Sequence, residues 1–457
     1  MEDASRLRDL AGEWLEAGRR LAGKGVDLEL YAEEQRGLTV KAYGGEVESL
    51  RYSHSRGVGV RALREGRLGY AYCSGLEWED VRRAVEEAVT NSRFSEPDEH
   101  NRLPEPGDYP AEDLGIYHPE TEETASERKV EMALLLEELA LARDGRIARV
   151  ETAVFADSVS TVAVANTLGV CGHYRSTHCH CYVFPIAVEG GESQTGFSFG
   201  TGVKPSDLDP AAVAAEASDM ALSLLGSRSM PSRRTTLVLD SFVAAEFLAM
   251  LASAISAEAV LKGRSFLAGR LGETIASPLV TLVDDGTLPG LPSTSPFDDE
   301  GVPTRRKELI REGVLQGYLH NTYTASRSGV ESTGNASRSS FRERPRVGAS
   351  NLLLEPGRGR REDIIRQVDD GVLILQVVGA HAGANPVSGE ISLGALGLRI
   401  EKGELRQPLR EITLAGKALD FLRDTVAVGE DLRVLPFEGS LGAPTVAVEN
   451  VMVAGRG

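Results

Sequence analysis

The sequence has few cysteines and contains no long hydrophobic run. Its 457 residues include only four cysteines, at positions 73, 171, 179 and 181. That number is too small for the disulfide framework that stabilises small secreted proteins. No apolar stretch approaches the roughly 20 residues that a membrane-spanning helix needs. We therefore expect a cytoplasmic protein with no membrane partner.

Basic residues are also fewer than acidic ones. The chain has 68 acidic residues against 50 lysines and arginines, which gives a formal net charge of −18. A field of this sign repels the phosphate backbone of DNA and RNA unless a local basic patch overrides it. We expect no nucleic-acid partner.

The length of the chain exceeds the size at which a single hydrophobic core stops growing, so two domains are expected. Residues 226–234 (GSRSMPSRR) break every hydrophobic period, and we place the domain boundary there. The prediction is an α+β fold. Residues 1–228 form an antiparallel meander with helices, and residues 229–457 form a strand-rich domain.

Several elements follow from periodicity and capping signals. Alternating residues predict strands over 150–165 and 171–187, a short strand is expected over 309–319, and a strongly apolar run predicts a helix over 242–259. Asp209, followed by Pro210, is typical of a helix start, and the run TASE at 124–127 has the form of a capping box. The acidic, Pro-rich residues 95–123 are expected to form an extended surface loop.

One segment is dense in residues that could bind a metal. The run CGHYRSTHCHC at 171–181 contains three histidines, His173, His178 and His180, and a tetrahedral zinc site needs four converging ligands. On a strand, His178 and His180 point to one face and the neighbouring cysteines to the other. Buried cysteines and satisfied histidines are the more common outcome, with a divergent metal site as the alternative.

Other catalytic signals are missing. Outside that run, no two of the eight histidines lie one helical turn apart with a glutamate beside the first, as a metallopeptidase helix requires. Phosphate-binding loops and dinucleotide fingerprints are absent in their strand-to-helix context. The residues alone therefore predict no self-contained catalytic site.

The second half contains several polar blocks rich in glycine. They are FDDEGVPTRR at 297–306, EGVLQGY at 312–318 and STGN at 332–335. Taken alone, three carboxylates beside two arginines are more typical of a solvated turn. However, these blocks and their order along the chain resemble the signature segments of the TldD/PmbA metallopeptidase family, the modulators of gyrase. The segments GVGVR (57–61), DDGT (284–287), NPVSGE (385–390), EITLAG (411–416) and VAVGED (426–431) extend the resemblance over almost the whole chain.

The resemblance also identifies a branch of the family. TldD-type chains carry a His-Glu-x-x-x-His helix and a later cysteine as zinc ligands, and PmbA-type (TldE-type) chains lack them. Alignment through KGRSFLAGR (262–270) puts Leu248, Ala249 and Ser253 at the three motif positions, and no cysteine follows Cys181. None of these side chains is a good zinc ligand. The resemblance thus implies no metal in this chain and zinc in a TldD-type partner.

As a member of this branch, the chain is expected to be the non-catalytic subunit of a peptidase that degrades or processes unfolded or modified peptides. It would pair with a TldD-type chain as a heterodimer, or with itself as a homodimer. Peptide would bind as an added strand. The signature blocks suggest six contact residues: Asp299, Glu300, Gly301, Thr333, Gly334 and Asn335. The alternatives are an autonomous metallopeptidase with a metal on the histidine run, and a non-enzymatic regulatory binding protein.

Overall fold

The structure, a computed structural model, describes residues 2–110, 112–379, 383–436 and 439–455. It contains 25% helix and 40% strand in several sheets, which confirms the α+β prediction. No helix within the described ranges combines the length and the apolar character needed to cross a membrane.

Ten α-helices are present in the described parts of the chain, five in each half. They are α1 (Glu2–Ala22), α2 (Trp78–Ser92), α3 (Glu120–Glu123), α4 (Ser126–Ala142), α5 (Pro210–Ser223), α6 (Ser241–Ile255), α7 (Ala257–Leu261), α8 (Thr322–Ser328), α9 (Arg361–Gln367) and α10 (Ala418–Arg423).

The first half of the chain forms a seven-stranded antiparallel sheet in the order β3-β2-β1-β4-β5-β6, with β7 also pairing with β5. Its strands are β1 (Asp27–Tyr43), β2 (Glu46–Arg64), β3 (Arg67–Cys73), β4 (Ile147–Asn166), β5 (Cys171–Glu189), β6 (Glu192–Thr195) and β7 (Ser198–Gly202).

Strand alternation gives this first sheet two different faces. Leu28, Leu30, Leu38 and Val40 of β1 share one face and are buried. Helices α1 and α2 cover one part of that face, and α4 and α5 cover another. The opposite face carries Glu29 and the other odd-numbered residues of β1, and it is turned toward the second half of the chain.

The second half contains two six-stranded sheets and a two-stranded ribbon, β12-β13. One sheet has the order β11-β10-β9-β14-β20-β19. The other has the order β17-β16-β15-β8-β21-β18, and an additional β17–β21 pairing closes five of its strands into a ring.

The strands of the second half are short in the first of these sheets and longer in the second. They are β8 (Arg233–Leu239), β9 (Leu282–Asp285), β10 (Arg306–Arg311), β11 (Val314–Leu315), β12 (Ala336–Ser337), β13 (Arg346–Val347), β14 (Asn351–Leu354), β15 (Asp370–Val378), β16 (Glu390–Glu401), β17 (Glu404–Lys417), β18 (Thr425–Val428), β19 (Arg433–Leu435), β20 (Ser440–Ala443) and β21 (Val446–Ala454).

Several predicted elements are confirmed. Strands β4 and β5 cover the predicted ranges 150–165 and 171–187. The side chain of Asp209 accepts a hydrogen bond from the backbone N–H of Ala212 and caps α5, as its position before Pro210 predicts.

Other predictions need correction. The capping box at 124–127 does not form, because α4 begins at Ser126 and its N-cap residue, Ala125, offers no side-chain acceptor. The predicted helix over 242–259 is broken, since Ser256 adopts an extended conformation between α6 and α7. The predicted strand over 309–319 turns after Arg311 and ends at Leu315.

The connector at 95–123 is also more integrated than predicted. Leu103 and Leu114 are buried, and the N–H of Thr177 on β5 donates to the carbonyl of Ile116. The connector therefore touches β5 at Ile116, and its buried leucines show that it is packed against the protein rather than extended in solvent.

Candidate functional site

A polar cavity lies where the first sheet meets the signature blocks of the second half. Its volume is about 260 Å³. Two residues of β5 form one wall, and loops of the second half form the others. The lining residues are Tyr174, Ser176, Pro292, Ser293, Thr294, Ser295, Phe297, Asp298, Asp299, Thr304, Gly334, Asn335, Ala336, Ser337, Gly348, Ala349, Ser350 and Gly439.

The six residues suggested by the resemblance fall into two groups. Asp299, Gly334 and Asn335 line the cavity. The other three do not appear in its wall: Glu300, Gly301 and Thr333 lie behind it.

Asp298 shapes the loop that carries Asp299. One of its carboxylate oxygens accepts the N–H groups of Glu300 (2.9 Å) and Val302 (3.0 Å), while the other accepts the N–H of Ala336 (2.8 Å). Gly301 takes the tight turn with φ +83°, a conformation that favours glycine. This single carboxylate therefore holds two of the signature blocks together.

Asn335 and the buried Asp284 form a second hydrogen-bonded centre. The Asn335 amide donates to Asp284 (2.9 Å), and its oxygen accepts from Lys307 (3.0 Å) and from the hydroxyl of Thr333 (2.8 Å). Lys307 also pairs with Asp284 at 2.7 Å, and Asp284 is fully buried. Asn335 therefore has partners on both sides of its amide, so its position in the wall is fixed.

A buried ion network joins the cavity loops to the first sheet. Arg61 of β2 donates to Glu29 of β1 (2.8 Å) and to Glu300 (2.7 Å). Arg338 donates to the same Glu29 (2.5 Å), and its guanidinium lies 4.7 Å from the ring centre of Tyr31. The three ion pairs of this network thus join residues from distant parts of the chain.

Burial and neighbouring charges set the protonation of this region. Burial raises the pKa of Asp299 to about 6, although Arg338 opposes the shift. Burial, together with the carboxylate of Glu300, raises the pKa of Asp298, although three N–H donors oppose the shift. Burial alone would raise the pKa of Glu300 too, but Arg61 and the N–H of Thr322 together outweigh burial and lower it. The cavity wall therefore holds two carboxyl groups, Asp298 and Asp299, whose pKa values are raised by burial.

Sequence reasoning missed Glu29, Arg61, Arg338 and Asp284 as parts of the site. Arg61 and Asp284 lie in segments that carry the family resemblance, but nothing local to them indicates their partners. Arg61 and Glu300, for example, are 239 residues apart in sequence.

Arg338 provides a test of the ion network. Because its side chain is fully buried, the substitution Arg338→Ala leaves Glu29 with one cation fewer, and we expect a loss of about 3–5 kcal/mol of stability. The exposed pair Arg128–Glu131 is the control, since Arg128→Ala should cost about 1 kcal/mol or less. Urea unfolding followed by circular dichroism measures both. Equal effects of the two substitutions would contradict a structural role for the network.

The histidine run on β5 does not gather metal ligands. The rings of His178 and His180 are 5.5 Å apart on one face, while Cys179 and Cys181 are buried on the other. Burial lowers the pKa of His178 to about 4. Within the described ranges, no group of three or more histidine, cysteine, aspartate or glutamate side chains could hold a metal ion. The geometry therefore gives no support to a metal on His173, His178 and His180.

Helix α6 occupies the place where TldD-type chains carry the zinc motif. Its side chains at the three motif positions also do not suit metal binding. Leu248 is buried and lines an apolar cavity of about 60 Å³, Ala249 is half-buried, and Ser253 is exposed. The first position of the motif thus lies in the apolar core and the last lies at the surface, and none of the three side chains is a good zinc ligand.

Glu246, on the same helix, is half-buried, and its Oε2 atom is inaccessible to solvent. Its Oε2 atom has no hydrogen-bond partner among the described residues, and burial raises its pKa to about 7. A raised carboxyl pKa means that the folded protein binds this proton more tightly than the unfolded chain does.

We therefore expect Glu246→Gln to stabilise the protein in a pH-dependent way. The folded pKa of about 7 exceeds the unfolded value of roughly 4.3, so the wild type loses stability as pH rises between these values. The melting temperature of the variant should exceed that of the wild type at pH 7.5, and the difference should vanish near pH 4.5. The exposed Glu138→Gln is the control and should show no such trend. A pH-independent effect of Glu246→Gln would contradict the assignment.

The chain matches models of known protein families over most of its length. Residues 28–92 match domain 1 of the PmbA/TldA metallopeptidases, residues 119–225 match the central domain, and residues 232–455 match the C-terminal domain.

Individual relatives agree with these matches. The metalloprotease PmbA of Escherichia coli O157:H7 is 28% identical over 440 residues, which cover 95% of this chain and 94% of the relative. A Thermotoga maritima structure described as a modulator of DNA gyrase is 32% identical, with a TM-score of 0.89 over 97% of this chain and 100% of that one. TldE from Thermococcus kodakarensis is 26% identical, with a TM-score of 0.88 over 98% and 100%.

Proposed function

The chain belongs to the PmbA/TldD metallopeptidase family, and from this membership we propose that it is the PmbA/TldE-like subunit of a zinc peptidase and has no zinc ligands of its own. The observation that carries the proposal is α6. Its positions 248, 249 and 253 hold leucine, alanine and serine, and Leu248 lies against apolar core rather than an open cleft. Zinc would come with a TldD-type partner in a heterodimer. The alternative assembly is a homodimer of this chain.

The polar cavity is the proposed place for peptide in this subunit. Its walls combine hydroxyl and amide groups with backbone, which can hydrogen-bond an extended peptide without selecting its side chains. Asp299, Gly334 and Asn335 would contact the peptide directly, while Glu300, Gly301 and Thr333 would position the loops from behind. Such tolerance suits a peptidase for unfolded or modified peptides.

The proposed location in the cell is based on the cysteine content of the chain. Four cysteines without a disulfide suit a reducing compartment, and we place the complex in the cytoplasm.

Reconstitution with a TldD-type chain tests the proposal. The untagged chain alone should contain close to no zinc per polypeptide by elemental mass spectrometry and should leave an unfolded peptide intact by mass spectrometry. The mixture should cleave that peptide faster than the TldD-type chain alone. Stoichiometric zinc, or cleavage by this chain by itself, would favour an autonomous metallopeptidase. Intact peptide in the mixture would favour a regulatory binding protein.

A variant of the cavity wall tests where peptide binds. Ser176 of β5 is half-buried in the wall, so Ser176→Trp should fill part of the cavity and raise the KM of the mixture severalfold. Ala148 of β4 is exposed, and Ala148→Trp should leave KM unchanged. Equal KM values for both variants would place the peptide elsewhere.

A further inference from the structure

A second cavity lies where the start of the connector meets the second half of the chain. Its volume is about 600 Å³, more than twice that of the polar cavity described above. This volume lies within the roughly 300–1,000 Å³ of typical small-molecule sites. We call it the mixed-charge cavity, after the charged and titratable side chains in its wall. They are Glu96, Asp98, Glu99, His100, Arg327 and Arg344.

The two sides of the mixed-charge cavity carry opposite charges. All of its carboxylates belong to residues 96–99 of the connector, in the first half of the chain. Both of its arginines, Arg327 in the last turn of α8 and Arg344, belong to the second half. One side of the cavity is therefore acidic and the other is basic.

Hydrogen bonds fix the backbone of the acidic side. The N–H of Asp98 donates to the carbonyl of Gly66 (3.0 Å), and the side-chain amide of Asn101 donates to the same carbonyl (2.9 Å). Gly66 has a φ of +75°, and a Cβ atom there would lie 2.9 Å from the carbonyl oxygen of Asp98. This close approach requires glycine. The segment that carries the acidic residues is thus held in place.

The basic side is joined to the first half at two points. The hydroxyl of Tyr323 on α8 donates to the carboxylate of Asp98 (2.9 Å). The carbonyl of Glu343, next to Arg344, accepts from the hydroxyl of Tyr70 on β3 (3.0 Å). The backbones of the two sides therefore keep their relative positions without a ligand.

Four charged side chains of this cavity form no ion pair with any other residue that the structure describes. They are Glu96, Glu99, Arg327 and Arg344. Asp98 and His100 differ, because hydrogen bonds within the protein already occupy their side chains. Two negative and two positive groups thus remain around one space, and their charges sum to zero.

These charges favour one class of ligand. A simple anion would be repelled by the acidic side, and a simple cation by the basic side. A molecule with an ammonium group at one end and a carboxylate at the other suits both sides, since arginine binds carboxylates with paired hydrogen bonds. Leu68 and Pro97 in the wall offer apolar contact to a small side chain. We propose that the mixed-charge cavity binds short peptides whose two termini are both free.

This inference goes beyond the proposed role in proteolysis. Binding needs neither zinc nor cleavage, and no lining residue is shared with the polar cavity. A free amino acid suits the site less well, because its two charged groups are attached to one carbon atom, whereas the acidic and basic sides belong to different halves of the chain. Short peptides with free termini are also what a peptidase releases, so this site would hold product away from the polar cavity.

Blocked peptides test the proposal on the isolated full chain. Trialanine should bind with a dissociation constant of about 1 mM or lower in isothermal titration calorimetry. N-acetyl-trialanine lacks the ammonium group and trialanine amide lacks the carboxylate, so each should bind about fivefold more weakly or worse. Glycine should also bind more weakly. Absence of trialanine binding would overturn the inference, and so would equal binding of either blocked peptide or of glycine.

Matched variants assign each terminus of the peptide to one side of the cavity. Arg327→Gln/Arg344→Gln should weaken trialanine binding about fivefold or more, but should not weaken trialanine amide, which has no carboxylate to lose. Glu96→Gln/Glu99→Gln should weaken trialanine to a similar extent and leave the N-acetyl peptide unchanged. All four residues are exposed, so the variants should fold. Equal weakening of free and blocked peptides by a variant would contradict the assignment.

Two further variants separate this site from other surfaces of the protein. Arg358→Gln/Glu362→Gln changes the same residue types at exposed positions of the second half and should bind trialanine like the wild type. Ser176→Trp fills part of the polar cavity and should leave the dissociation constant of trialanine unchanged. If Ser176→Trp abolishes binding while Arg327→Gln/Arg344→Gln retains it, the peptide occupies the polar cavity. The inference then fails, while the proposed function stands.

Discussion

The buried pairing of Arg61 and Arg338 with Glu29 and Glu300 is the interaction on which the candidate site depends. Charges removed from water are tolerated only when every partner is in place. Two strands of the first sheet supply Arg61 and Glu29, while the loops of the second half supply Glu300 and Arg338. The sheet therefore determines where the loops lie, and the cavity exists because the loops are held against the sheet.

Local parts of this arrangement could be predicted from sequence, and long-range parts could not. Periodicity and capping predict β4, β5 and the start of α5, because those signals act over a few residues. Alternation also puts Glu29 and Arg61 on the face opposite the helices. It does not indicate what covers that face, because the partners Glu300 and Arg338 come from segments with no regular period. For the same reason the family resemblance suggested Asp299 and Asn335, but gave no sign that Glu300 lies behind the wall with Arg61.

Helix α6 shows how a position can change its physical role within a family fold. The resemblance associates Leu248 with a metal ligand, yet here its side chain contributes to the largest apolar core of the second half. An imidazole at that position would lose hydrogen-bonding partners in an apolar cavity. Reverting one residue would therefore not rebuild a metal site, because the surrounding residues of α6 and the cavity are apolar as well.

The first sheet has two faces with different roles, and strand alternation keeps them apart. On β5, Cys179 and Cys181 point into the helix-covered core, while Tyr174 and Ser176 point into the cavity. A slip of one residue in the β4–β5 pairing would exchange these two sets. The buried cysteines oppose such a slip, since they would be exposed while serine would enter the core. The register of β5 therefore protects the cavity wall.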